Sequence, residues 1–153
     1  MPSVSFEEFL IWKKKQLSKG GDQQSFAVLL DCIGGLSASD LNLMSINLEG
    51  KLHLKKKLEF LESVWHDHLL NSCPIQYLCG ITFWRDLKLK VTKKVLIPRP
   101  ETELIVDIVF NIFRRKSEKL FFAELGTGSG AISIALALAY PFSEGVATDI
   151  DQD

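Results

Sequence analysis

The 153-residue sequence predicts an α/β protein: a small all-α N-terminal domain, then a β-hairpin, then the first β-α-β part of a doubly wound sheet. Three observations carry that prediction. Apolar residues recur at helical spacing through the first 72 positions, and alternation replaces that spacing in "ITFWRDLKLKV" from Ile81. "KLFFAELGTGSGAISIALALAY" then sets a short apolar run, a Gly-rich turn and a helix-like run in succession, and "GVATD" follows as a second strand.

Each element has a local reason. Ser5 with Glu8 three residues later is a capping-box pattern, and Phe6, Phe9, Leu10 and Leu17 follow at helical spacing. Asp22 is placed to cap a second helix with Phe26, Leu29, Leu30 and Ile33 on one face, ended by Gly34-Gly35. Ser37 is placed to cap a third, short helix through Met44. Lys51 to Asn71 reads as one longer helix with Leu54, Leu58, Leu61, Trp65 and Leu69 on a stripe. Past Pro74, Leu87, Leu89 and Val91 face one way and Lys88 and Lys90 the other, so Arg85-Asp86 sits at a hairpin turn. Pro98 and Pro100 hold the backbone around Arg99 extended, and Pro100 suits the first turn of a helix whose buried face is expected to be Leu104, Ile105, Ile108 and Ile112. "KLFFAEL" reads as a buried strand, and Pro141 stops the helix after the glycines.

Composition narrows the function classes. Apolar content of 46% and charge of 24% are those of a globular chain. A net charge of -1 supplies no global field for nucleic acid, and the Lys13–Lys15 and Lys55–Lys57 runs read as solvated helix faces. Cys32, Cys73 and Cys79 are odd in number and form no C-x-x-C pair, which fits a reducing cytoplasm. Glu7 and Glu8 without an apolar run argue against a secretory or transit peptide. The longest apolar stretch, Ala131 to Tyr140, is ten residues, too short for a bilayer. His66 and His68 point about 200° apart on a helix, so no metal site is expected there.

The chemistry concentrates at Gly126-Thr127-Gly128-Ser129-Gly130. Glycines permit a sharp strand-to-helix turn and let a ligand approach the backbone, and the helix N-terminus adds N–H donors. Asp149, at the end of the next strand, can accept hydrogen bonds from both ribose hydroxyls of a nucleoside. A Walker-type loop would need Gly-Lys-Ser/Thr, and no Lys follows this turn. With Ala131 in the sixth place the stretch also fits the dinucleotide pattern, which glycines alone do not dismiss. Glu124 discriminates: a carboxylate beside the turn repels a pyrophosphate and attracts an ammonium. S-adenosylmethionine offers an ammonium, a sulfonium and a ribose without phosphate, so the two acids suit it.

Taken together, "PIQYLCGITFWRDLKLKV", "VLIPRPETELIVD", "ELGTGSGAISIALA" and "ATDID" resemble the protein-(glutamine-N5) methyltransferases, the PrmC/HemK family. The resemblance is strong from about Pro74 to Asp151 and lies more in size and layout before that. It implies an S-adenosylmethionine-dependent enzyme of the cytoplasm that methylates the glutamine of the Gly-Gly-Gln motif in peptide chain release factors. Residues 1–72 would be the helical substrate-recognition domain, 73–98 a linker and hairpin, and 99–153 the N-terminal part of a Rossmann-like (class I) methyltransferase domain. Glu124, Gly126, Thr127, Gly128, Ser129 and Gly130 would form the cofactor loop, and Asp149 would hold the ribose. Arg99, Pro100 and Thr102 would shape the site near the entering glutamine. The partner would be a release factor, with no direct nucleic acid, membrane or metal, and the chain a monomer.

The family's amide-orienting Asn-Pro-Pro-Tyr motif does not occur in these 153 residues. No catalytic residue is assigned, and the chain is expected to be C-terminally truncated, inactive alone, and to expose a sheet edge with apolar faces. The alternatives are a methyltransferase acting on nucleic acid or another protein, and a non-catalytic module that binds a release factor.

Overall fold

The computed structural model describes residues 1–37, 39–42, 50–115, 117 and 119–151. These residues form a mixed α/β chain that divides into two compact units, Met1–Cys79 and Gly80–Asp153.

In the first unit, α1 (Phe6–Leu17) starts where Ser5 Oγ accepts the Glu8 N–H at 3.2 Å, as the capping pattern requires. Its buried face is Phe9, Trp12 and Gln16, whereas Leu10 is exposed. Asp22 accepts the Ser25 N–H at 2.8 Å and opens α2 (Gln23–Leu29). A π-helical turn, Leu30–Gly34, continues α2 and ends at Gly35 with φ 73°, the left-handed conformation that glycine adopts without strain. Ser37 and Asp40 then bond reciprocally, Ser37 N–H to Asp40 at 2.7 Å and Asp40 N–H to Ser37 Oγ at 3.2 Å, the expected start of a third helix. Its expected end at Met44 lies outside the described residues.

The helix expected over Lys51 to Asn71 is shorter. Lys51–His53 is a strand, β2, antiparallel to β1 (Ser3–Ser5) with Val4 opposite Leu52, and helix α3 runs only over Leu58–Leu70. The first unit is therefore not all-α. The reason is a change of period: Leu52 and Leu54 are buried while Lys51, His53 and Lys55 are exposed, an alternation that a helical stripe through Leu54, Leu58 and Leu61 conceals. The core is an aromatic chain, Phe9–Trp12–Phe26–Trp65, with successive ring centroids 5.7, 5.6 and 4.8 Å apart. Leu29, Leu30 and Leu61 complete it, and α4 (Ile75–Cys79) adds Ile75. His68 donates through Nδ1 to the Cys73 carbonyl at 2.7 Å and packs on Trp65, a structural use of that ring.

In the second unit, β3 (Ile81–Trp84) and β4 (Leu87–Lys90) form the expected hairpin, with Arg85 at φ 50° in its turn. Trp84 donates its indole N–H to the Arg99 carbonyl at 3.0 Å, which ties the proline segment to the hairpin. A 3-10 turn, Pro100–Thr102, leads into α5 (Glu103–Ile112). The buried face of α5 is Val106 with Val109 and Phe110. Leu104, Ile105, Ile108 and Ile112 are 63, 48, 56 and 67% exposed, contrary to the expectation. Glu103, Asp107 and Asn111 make one polar stripe, but apolar residues cover the rest of the circumference, so hydrophobicity alone does not fix the rotation. A polar clamp does: Arg85 reaches Asp107 at 2.8 Å and the Glu103 carbonyl at 3.2 Å, and lies over the Phe110 ring.

The last elements are β5 (Phe121–Leu125), α6 (Ala131–Ala139) and β6 (Glu144–Thr148). β5 and β6 pair in parallel with Ala123 opposite Val146, as a crossover through α6 demands. β5 is not the buried strand expected: Phe121 and Leu125 are 72 and 83% exposed, because alternate residues point to opposite faces and α6 covers only one. Among the described residues no helix is long and apolar enough to cross a membrane.

Candidate functional site

The glycine turn joins β5 to α6, and its geometry follows from three residues with positive φ: Gly126 at 72°, Gly128 at 54° and Gly130 at 75°. At Gly126 an added Cβ would meet nothing within 4 Å, so the demand there is conformational and the space above the backbone is open. The turn is pinned to the neighbouring strand: the N–H groups of Gly126 and Thr127 both donate to the Thr148 carbonyl, at 2.8 and 3.0 Å. Gly130 N–H closes the turn onto the Thr127 carbonyl at 2.9 Å.

Gly130 is the N-cap of α6 and has no side chain to satisfy the helix's first donors. Glu124 does so from the strand. Its Oε2 accepts the Ser133 N–H at 3.0 Å, the Thr127 hydroxyl at 2.8 Å, and the Ser133 hydroxyl. Ser133 stands three residues past the cap, where a capping box would place its own acceptor. A carboxylate here is also favoured by the positive end of the helix. One oxygen of Glu124 thus binds strand, turn and helix together. Oε1 has no hydrogen-bond partner among the described residues.

Asp149 follows β6 and folds back onto the turn. Its Oδ2 accepts the Gly128 N–H at 2.7 Å and its Oδ1 the Asp151 N–H at 3.2 Å. The Gly128 bond, then the Asp151 bond, holds its carboxyl below the ordinary value of 3.8. The group is fully exposed to solvent.

The structure therefore brings Glu124, Gly126, Thr127, Gly128, Gly130 and Asp149 into one hydrogen-bonded constellation, with Ser129 inside the same turn. Arg99, Pro100 and Thr102 make no hydrogen bond to it among the described residues; Arg99 contributes its carbonyl to Trp84 and to the Thr102 N–H at 3.1 Å. Three contacts escaped sequence reasoning. Val95 lies against the turn, its Cγ1 3.5 Å from where a Cβ on Gly128 would stand, and Lys94 Nζ is 3.4 Å from Asp151. Ser133 is the third, and it had a legible signal: a glycine N-cap leaves the third helical N–H without a local acceptor, and Glu124 is the nearest acid upstream.

Chemically the site is a backbone turn carrying two carboxylates and no cationic side chain of its own. With Glu124 occupying the Ser133 N–H, one helix donor that a phosphate would use is taken by a negative charge. Among the described residues no group of three or more His, Cys, Asp or Glu is placed to hold a metal ion.

No family model matches the chain. The chain is similar to curated proteins named release factor glutamine methyltransferase. It is 44% identical to that of Prochlorococcus marinus over 150 residues, 97% of this chain and 51% of the relative. It is 35% identical to that of Gloeobacter violaceus over 134 residues, 85% of this chain and 45% of the relative. With that of Synechocystis sp. the identity is 36% over 149 residues, 90% of this chain and 48% of the relative. The chain spans about half the length of the curated relatives it matches.

Proposed function

Since the chain belongs to the release factor glutamine methyltransferase family, we propose that it is the cofactor-binding part of an S-adenosylmethionine-dependent enzyme that N5-methylates the Gly-Gly-Gln glutamine of a peptide chain release factor. The observation that carries the cofactor is the pair of carboxylates, Glu124 and Asp149, both hydrogen-bonded into a glycine turn that no lysine follows. That arrangement disfavours phosphate and suits a cationic nucleoside.

Residues 99–153 are then the first part of a Rossmann-like methyltransferase domain, and residues 1–72 the domain that recognises the release factor in the cytoplasm. When bound, S-adenosylmethionine supplies a methyl group on a sulfonium, activated for transfer to the glutamine amide nitrogen. The chain's own residues bind and orient. Gly126 and Gly128, free of side chains, let the ligand approach the backbone. Asp149 accepts from the ribose hydroxyls, and Glu124 places negative charge beside the amino group. Arg99, Pro100 and Thr102 shape the approach of the glutamine. No Asn-Pro-Pro-Tyr occurs in the chain, so no amide-orienting residue is assigned to it.

Calorimetric titration with S-adenosylmethionine and, separately, NAD tests the reading. Saturable binding of the first and none of the second is expected. Tighter binding of NAD would reverse the assignment of the turn.

A further inference from the structure

Ser133 has no role in the reading above, yet it is the residue that fixes Glu124. Its backbone N–H and its hydroxyl both donate to Oε2, and the Thr127 hydroxyl donates to the same atom. Three donors on one oxygen leave Oε1 as the part of the carboxylate without a protein partner among the described residues. The two Ser133 bonds also differ in kind. The N–H bond is a helix-capping bond that any residue at this position would make. The hydroxyl bond needs Ser or Thr. It caps nothing, since the N–H is already satisfied, so its effect is on where the carboxylate points.

We propose that Ser133 is a positioning residue for cofactor recognition: its hydroxyl locks Glu124 so that Oε1 is presented to the ammonium of the ligand's amino-acid end. This rests on the S-adenosylmethionine reading of the turn. A carboxylate held in one rotamer loses no side-chain freedom when the ligand arrives, so the lock acts on affinity for whatever Glu124 touches. The nucleoside end, which falls to Asp149, should not sense it.

The test compares two ligands on the full chain: S-adenosylmethionine, and 5′-methylthioadenosine, which keeps the nucleoside and lacks the amino-acid end. Ser133→Ala keeps the capping N–H and favours the helix. It should weaken S-adenosylmethionine about two- to tenfold, the cost of ordering one freed side chain on binding, and leave 5′-methylthioadenosine unchanged. Ser133→Thr should restore the first ligand. In a Glu124→Gln background, Ser133→Ala should have no further effect, because the two act as one unit. Equal losses for both ligands would make Ser133 merely structural, and no loss for either would remove it from recognition; both results overturn the inference while the cofactor reading stands. If the unsubstituted chain binds neither ligand, the cofactor reading itself fails and the inference with it.

Discussion

Glu124→Ala separates a strut from a ligand contact. In the structure Oε2 takes three donors, and one of them, the Ser133 N–H, has no other acceptor among the described residues because the N-cap is Gly130. Loss of an N-cap acceptor costs about 1 kcal/mol. Loss of a negative charge from the first turn of a helix adds about 0.5 kcal/mol. The Thr127 and Ser133 hydroxyls can turn to water, since the site is half-buried, so they add no more than about 0.5 kcal/mol. The sum is about 2 kcal/mol, or roughly a 30-fold rise in the opening of the turn. Hydrogen exchange followed by mass spectrometry on a peptide covering Gly126 to Tyr140 reads that opening directly. Glu124→Gln keeps an acceptor without the charge and should lose about a quarter as much, about 0.5 kcal/mol. Unchanged exchange in Glu124→Ala, with cofactor affinity reduced, would overturn the strut: the carboxylate would then serve the ligand alone, and Ser133 would not be capped by it.

Other outcomes follow from the same structure. Gln16 is fully buried and its Nε2 and Oε1 lack partners in hydrogen-bond geometry among the described residues, although its side chain is near enough to Glu62 to help Lys19 hold that carboxyl low. Gln16→Met, close in volume, should raise the unfolding free energy read from urea denaturation by about 1 to 2 kcal/mol, and a lower midpoint would show that the amide is bonded. Arg85→Ala removes the clamp to Asp107 and the Glu103 carbonyl. It should cost about 1 kcal/mol, the pair being partly exposed, and should loosen α5; unchanged exchange of α5 amides would place the control of its rotation elsewhere. Acid should destabilise the chain. Asp22, Asp40 and Asp149 are held below 3.8 and Glu62 below 4.5, by donors from Ser25, Ser37, Gly128 and Lys19 respectively. A depressed folded value means the unfolded chain binds more protons, so this stability is present above those ordinary values and is lost as pH falls through the folded ones. Asp22→Asn should flatten that acid limb in thermal melts taken from pH 6 downward, and an unchanged limb would contradict the cap's part in it.

Much of the site was legible because glycine turns and helix caps are local. Gly126, Gly128 and Gly130 sit within five residues, and a strand followed by a helix cannot turn that sharply with side chains at all three positions. Ser5 and Asp22 cap their helices as written, since a cap needs only the backbone three residues on. The errors came where a residue's partner is remote. Leu52 and Leu54 alternate as a strand only because β1, some fifty positions earlier, supplies the backbone that pairs with them.

Legible in the residues alone were the mixed α/β class, the hairpin turn at Arg85-Asp86, the order strand, glycine turn, helix, strand, and the acids that give the turn its charge. They were legible because dihedral freedom, capping and alternation are set within a few bonds. The packed fold settles which part of the wide apolar arc of helix Glu103–Ile112 is buried, since an arginine on the hairpin clamps Asp107 on its polar stripe. Only the tertiary structure brought Ser133 onto Glu124, nine residues back in the chain, and turned an acid read as a ligand contact into one that also holds the helix in place.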